Sequence, residues 1–113
     1  MEPDLDQTFA ALADRTRRAI VALLRDGPRR SSEMASALST SRPAMSRHLR
    51  VLRRAGLVEE DGLEEDARAR IYQLCREPFT GLRAWLDEVE AFWDGQLRAF
   101  KAHAERRQGR RRP

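Results

Sequence analysis

The stretch from Ser39 to Val58, Ser-Thr-Ser-Arg-Pro-Ala-Met-Ser-Arg-His-Leu-Arg-Val-Leu-Arg-Arg-Ala-Gly-Leu-Val, sets the geometry that the rest of the chain must accommodate. Ser41 can cap a helix through its side-chain oxygen, Pro43 suits a first turn where no N–H is missed, and Gly56 offers a left-handed stop. The spacing predicts a helix over about Arg42 to Ala55. Met45, Leu49 and Leu52 recur at i, i+4 and i+7 as one apolar stripe, with Pro43, Arg47, Arg50 and Arg54 on the opposite side. Arginines stand at 42, 47, 50, 53 and 54, and no acid lies between the first and the last. Such a local excess of one sign asks for a polyanion partner. A solvated arginine-rich helix is the plainer alternative, and the neighbouring segments argue against it.

Size limits what else the chain can hold. Its 113 residues predict one small domain with a single core, and no separate catalytic or ligand-binding domain. With 35% charged and 41% hydrophobic residues, no apolar run approaches the roughly 20 residues needed to span a bilayer. The acidic start, Met-Glu-Pro-Asp-Leu-Asp, lacks a signal peptide's basic and apolar regions, so the expected location is the cytoplasm with no membrane partner. Cys75 is the single cysteine, which rules out an intrachain disulfide and a multi-thiolate metal site within one chain. The net charge of +4 is polarised: Arg42–Arg54 carries +5 and Glu105–Pro113 carries +4, which leaves −5 on the remainder. A protein that presents one face to phosphates has this distribution.

Leu5, Phe9, Leu12 and Ala13 have helical spacing, with Asp4 as a cap, and predict a short amphipathic first helix. Asp14 precedes a second helix whose stripe is Ala19, Ile20, Leu23 and Leu24, closed by Gly27-Pro28. Ser31 or Ser32 caps a third, very short helix through Leu38, with Met34, Ala35 and Leu38 inward. Ser39 to Ser41 then makes the turn into the arginine-rich helix. A short helix, a tight turn and a basic second helix give the helix-turn-helix pattern.

After Gly56, Leu57-Val58 starts a strand, the turn lies within Glu59 to Ala67 around Asp61-Gly62, and Arg68 to Leu74 returns with alternating character. A two-stranded hairpin in this place is a wing. Arg68 and Arg70 are expected to touch the DNA backbone, while Glu64, Glu65 and Asp66 at the tip point away from phosphate. A hairpin that makes no DNA contact is the competing reading. Pro78 opens the longest helix, to about Ala104, in which Leu82, Leu86, Val89, Trp93, Leu97 and Phe100 recur at steps of three and four and Trp85 and Phe92 widen the stripe. That apolar surface exceeds what one small domain can cover and most simply meets a second copy. The expected boundaries are residues 1–104 for a DNA-binding and dimerisation domain and 105–113 for a basic, disordered tail.

Phe9-Ala-Ala-Leu-Ala-Asp-Arg-Thr-Arg-Arg, followed by Met45-Ser-Arg-His-Leu-Arg-Val-Leu-Arg-Arg-Ala-Gly-Leu-Val, resembles the ArsR/SmtB family of bacterial winged-helix transcriptional repressors over about residues 5–104. The resemblance implies a mainly α fold of about five helices plus a two-stranded wing. It also implies a homodimer joined mainly by the first and last helices, binding an imperfect inverted repeat in double-stranded DNA and blocking transcription, often of its own operon. The DNA-facing set is then Ser41, Arg42, Pro43, Ser46, Arg47, Arg50, Arg54, Arg68 and Arg70. The dimer set is Leu5, Phe9, Leu82, Trp85, Leu86, Val89, Phe92, Trp93, Leu97 and Phe100. His48, beside Leu49 in the family's His-Leu pair, is off the centre of the basic face and is read as packing or backbone-contacting.

The family's metal sensors place a cysteine pair on the helix before the recognition helix, where this chain has Ser31-Ser-Glu-Met-Ala-Ser-Ala-Leu. The arsenic or cadmium type of site is therefore absent. The family's other site would have to draw on Asp87, Glu90, His103 and Glu105, and His103 lies more than three turns beyond the Asp87–Glu90 pair. No metal or other cofactor is expected. The chain has no Gly-rich phosphate loop and no Ser, Cys or His beside an acid at a triad's spacing, which excludes a recognisable enzyme. Cys75, next to Arg76, is either a half-buried filler or a one-cysteine redox switch. Two function classes remain: a dimeric DNA-binding repressor with an unidentified effector or partner protein, and a protein-interaction module acting through its aromatic last helix.

Overall fold

The computed structural model describes residues 4–61 and 70–111. Eight elements follow in order: α1 (Leu5–Leu12), α2 (Arg15–Leu24), β1 (Arg29–Arg30), α3 (Ser31–Ala37), α4 (Arg42–Arg54), β2 (Val58–Asp61), β3 (Ile71–Leu74) and α5 (Arg76–Arg111). The chain divides into two compact units, Met1–Leu82 and Arg83–Pro113. The core of the first unit is built from Ile20, Leu24, Met34, Met45, Leu49, Leu52, Leu57, Val58 and Tyr72, with Phe79 packed against it. All three residues of the α4 stripe are buried, so the period seen in the sequence is the face that packs.

Three helix starts have a side-chain cap. Asp4 accepts from the N–H groups of Asp6 and Gln7 at the head of α1, Asp14 from Arg17 N at 3.0 Å at the head of α2, and Ser41 from Ala44 N at 3.2 Å at the head of α4. The bond from Arg17 N holds the Asp14 carboxyl below the usual carboxylate range, against the raising effect of burial. Its contribution to stability is thus present at neutral pH and is lost as pH falls through that lowered value.

Several expectations need correction. The inward residues of α1 are Thr8 and Ala11, with Leu12 half-buried and Phe9 exposed. Thr8 can be buried because its hydroxyl donates to Asp4 O at 3.2 Å, which removes the cost of an unpaired polar group. Neither Ser31 nor Ser32 is the N-cap of helix α3, whose cap residue makes no side-chain cap bond. Arg30 stands at its N-cap position, and Ser31 N donates to Arg70 O at 3.2 Å. The sheet has three strands, in the order β1-β3-β2, because Arg29 and Arg30 pair antiparallel with Tyr72 and Ile71. Two residues are too few for an alternating pattern, so only the β2–β3 pairing, Val58↔Leu74 to Asp61↔Ile71, was visible as a hairpin. The turn expected around Asp61-Gly62 and the tip with Glu64, Glu65, Asp66 and Arg68 lie outside the described residues.

Helix α5 starts at Arg76, so Pro78 falls within its first turn, where its missing N–H breaks no bond. It runs past the expected end at Ala104 through Arg111. In the second unit Trp85, Leu86, Val89, Phe92, Trp93, Leu97 and Phe100 are all exposed, Phe92 at 68% and Phe100 at 73%.

Helices α3 and α4 end in the same six-residue closure. After α3, Thr40 N donates to Ala35 O at 2.9 Å and Ser39 N to Ser36 O at 3.2 Å, with Ser39 at φ 51°. After α4, Leu57 N donates to Leu52 O and Gly56 N to Arg53 O, both at 2.9 Å, with Gly56 at φ 76°. The left-handed position costs a serine roughly 1–2 kcal/mol that glycine avoids, partly offset by the freedom glycine gains when unfolded. Ser39→Gly is therefore expected to raise stability by about 0.5–1 kcal/mol, and Gly56→Ala to lower it by about 1 kcal/mol. A Cβ at Gly56 meets nothing nearer than Pro78 Cγ at 3.9 Å, so the second cost is backbone alone. Paired urea titrations followed by circular dichroism measure both, and equal signs for the two variants would contradict the argument.

Candidate nucleic-acid interface

The candidate surface is the outward side of α4. Ser41, Arg42, Pro43, Ser46, Arg47, Arg50 and Arg54 are all exposed. The guanidinium groups of Arg42, Arg47, Arg50 and Arg54 make no hydrogen bond or ion pair with another described residue. Two carboxylates among the described residues reach α4, and both do so at its margins: Asp14 lies 4.0 Å from His48, and Glu60 lies 2.8 Å from Arg53. The centre of the face keeps its positive charge.

His48 is half-buried and turned towards α2, with its Nδ1 3.4 Å from Arg17 Nη1. A guanidinium only donates, so Nδ1 accepts, and the ring joins α4 to the start of α2. Arg17 does more than this. Its Nε donates to Ala11 O at 2.6 Å and its Nη2 to Ala10 O at 3.2 Å, while Arg18 donates to Leu12 O at 2.7 Å. These two arginines close the carbonyl end of α1, where Ala10 O also accepts from Ala13 N at 3.3 Å. The sequence showed them as part of a motif without showing this work. The signal was available in retrospect: cations three and four residues after the cap Asp14, directly behind a helix end.

The wing contributes a second arrangement. Glu60 on β2 is only 13% exposed and lies 2.8 Å from both Arg53 Nη1 and Arg70 Nε. The contact to Arg70 is close in distance without the N–H pointing at the oxygen, so it is an ion pair and not an aligned hydrogen bond. Arg70, expected at the DNA backbone, is thereby tied to the end of α4. Arg53 and Glu60 were not among the expected site residues. Their pairing crosses from helix to strand, and no sequence spacing reveals it. Burial, followed by the charge of Glu60, pushes the neighbouring Tyr72 phenol up, so it remains a neutral hydroxyl.

Cys75 is half-buried, and its N–H donates to Leu57 O at 2.9 Å. Burial pushes its thiol up, and Glu59 and Glu77 push in the same direction, which outweighs the proximity of Arg76 in sequence. A raised value lowers the thiolate fraction at any given pH. Iodoacetamide at mildly alkaline pH is therefore expected to label Cys75 more slowly in the folded protein than in urea. Equal rates would show an activated thiol. Among the described residues no three His, Cys, Asp or Glu side chains gather as a metal site would require.

The whole arrangement matches known proteins. A helix-turn-helix domain family matches residues 12–61. The HTH-type transcriptional regulator Rv2034 of Mycobacterium tuberculosis is 43% identical over 95 residues, covering 84% of this chain and 83% of that one. The transcriptional repressor SdpR of Bacillus subtilis is 32% identical over 56 residues, covering 50% of this chain and 62% of that protein. Among solved structures, an ArsR-like transcriptional regulator from Rhodococcus sp. RHA1 is 33% identical with a TM-score of 0.76, covering 89% of this chain and 90% of that one. The ArsR family regulator RHA00566 is 34% identical with a TM-score of 0.70, covering 80% and 96%. With the helix-turn-helix, the wing and an arginine-lined α4 in place, the chain belongs to the ArsR family of winged helix-turn-helix regulators: it is a DNA-binding transcriptional regulator and not an enzyme.

Proposed function

We propose that this regulator is a cytoplasmic homodimer that binds an inverted-repeat operator and represses a bacterial operon, its own included, without sensing a metal. The observation that carries the DNA half of the reading is the exposed face of α4, where Arg42, Arg47, Arg50 and Arg54 have no partner among the described residues. In this reading Ser46, Arg47 and Arg42 meet base edges in the major groove. Ser41, Pro43, Arg50, Arg54, Arg68 and Arg70 set the helix against the backbone. The dimer half rests on the apolar side chains of α5, from Trp85 to Phe100, whose exposure is far larger than isolated surface residues need. Leu82 and, from α1, Leu5 and Phe9 complete that interface. Metal independence is supported by α3, whose residues Ser31–Ala37 include no thiol and no imidazole.

The same exposed helix favours a second reading, in which α5 binds a different protein and DNA binding is secondary. Fluorescence anisotropy separates the two. The full chain is titrated against a duplex selected from a random pool, against the DNA upstream of its own gene, and against a scrambled duplex, over a salt series. Tight binding to the selected and upstream duplexes, with two chains per site, is expected. Weak and equal binding to all three would remove the repressor reading and leave α5 as the working surface.

A further inference from the structure

A polar cavity of about 150 Å³ lies beside the recognition helix, between α3, α4 and β3. Its wall carries three guanidinium groups, from Arg50, Arg53 and Arg70, and three hydroxyl-bearing side chains, from Ser31, Ser46 and Tyr72. Glu60 contacts Arg53 and Arg70 but does not line the cavity, and Arg50 has no partner among the described residues. One carboxylate against three arginines leaves the wall cationic. The guanidinium groups of Arg53 and Arg70 are 2.8 Å from Glu60 and so are held in place before any ligand arrives. Held donors lose less freedom on binding than loose ones, and guanidinium groups match the oxygens of a phosphate.

We propose that this cavity seats one phosphate group of the DNA backbone, gripped jointly by the recognition helix and the wing through Arg50, Arg53 and Arg70. The proposal rests on the DNA-binding reading above and adds a defined phosphate position to it. A purely structural role for the Glu60 pairs explains the contacts of Arg53 and Arg70 but not the unpaired Arg50 on the same wall. DNA is the favoured source of the phosphate because Arg50 belongs at once to the cavity and to the outward face of α4. The seat is indifferent to base sequence, so it fixes the depth and tilt of α4 in the groove.

Arg53→Gln and Arg70→Gln in the full chain, checked for folding by thermal melts, test the assignment. The two arginines are 50% and 38% exposed, so neither change leaves a hole in the core. Each folded variant is titrated with the selected and scrambled duplexes over a salt series. The expected result is a loss of affinity by the same factor on both duplexes and a salt slope lower by about one, the signature of one lost phosphate contact. An unchanged slope in both folded variants overturns the seat. A wild-type protein that does not prefer the selected duplex overturns the sequence-reading function, while the slopes on scrambled DNA still decide the seat. Inorganic phosphate is also compared with chloride at equal ionic strength as a competitor of DNA. Stronger displacement by phosphate, lost in Arg70→Gln, is expected, because a free phosphate would take the seat that the DNA phosphate uses. Calorimetric binding of inorganic phosphate that is lost in Arg70→Gln, but that lowers DNA affinity no more than chloride does, would overturn the DNA source in favour of a free anion.

Discussion

Leu52→Ala is expected to cost about 2–5 kcal/mol of folding stability, the range for truncating a buried leucine whose surroundings cannot collapse onto the gap. Leu52 is 0% exposed and completes the Met45–Leu49–Leu52 stripe. Its carbonyl also accepts the bond from Leu57 N that ends α4, and Leu57 is itself 0% exposed. The side chain thus sits where the helix, its closing turn and the wing's first strand converge. Small domains have about 5–15 kcal/mol in total, so the variant should be partly unfolded at moderate temperature. Leu52→Met, which nearly conserves volume, should lose less than about 1.5 kcal/mol. Urea titrations at one fixed protein concentration measure both, since dimer formation would add a concentration term. A loss under about 1 kcal/mol for the alanine variant would place the centre of the core elsewhere.

The comparison of α4 with α1 shows what the sequence could reveal. In α4 the stripe, the cap at Ser41 and the stop at Gly56 all agree, and the structure repeats them. Where propensity, pattern and end signals point the same way, one-dimensional information suffices. In α1 the apolar spacing did not mark Thr8 and Ala11, which are the buried residues, because the Thr8 hydroxyl bonds back to Asp4 O and so avoids the cost of an unpaired polar group. Beta strand β1 failed for a different reason: its two arginines form a strand by pairing with β3, about forty positions later in the chain. The candidate site divides the same way. The exposed arginines of α4 follow from helical period alone, while the Glu60 bridge to Arg53 and Arg70 depends on three elements meeting. Long-range ion pairs leave no local trace.

Arg47→Ala is expected to remove most of the discrimination between an operator and a scrambled duplex while leaving much of the general affinity. A guanidinium that contacts guanine with two bonds contributes about 1–3 kcal/mol of base discrimination, or roughly 5- to 150-fold. A homodimer on an inverted repeat uses that contact in both half-sites, about 34 Å apart, so the two losses compound to about 2–6 kcal/mol. Arg47 is suited to this role because it is exposed and has no partner among the described residues, so nothing in the protein need be broken before it meets a base. Arg47→Lys sharpens the interpretation. It keeps the charge but not the planar pair of donors, so it should hold the scrambled duplex as tightly as the wild type and still lose preference for the operator. Trp93→Ala provides the contrast, since Trp93 is 61% exposed on α5 and remote in sequence from the DNA-facing set. It should weaken operator binding only through loss of the dimer, which raising the protein concentration would restore. An Arg47→Ala protein that weakens on both duplexes by one factor would make Arg47 a phosphate contact and shift base reading to Arg42 and Ser46.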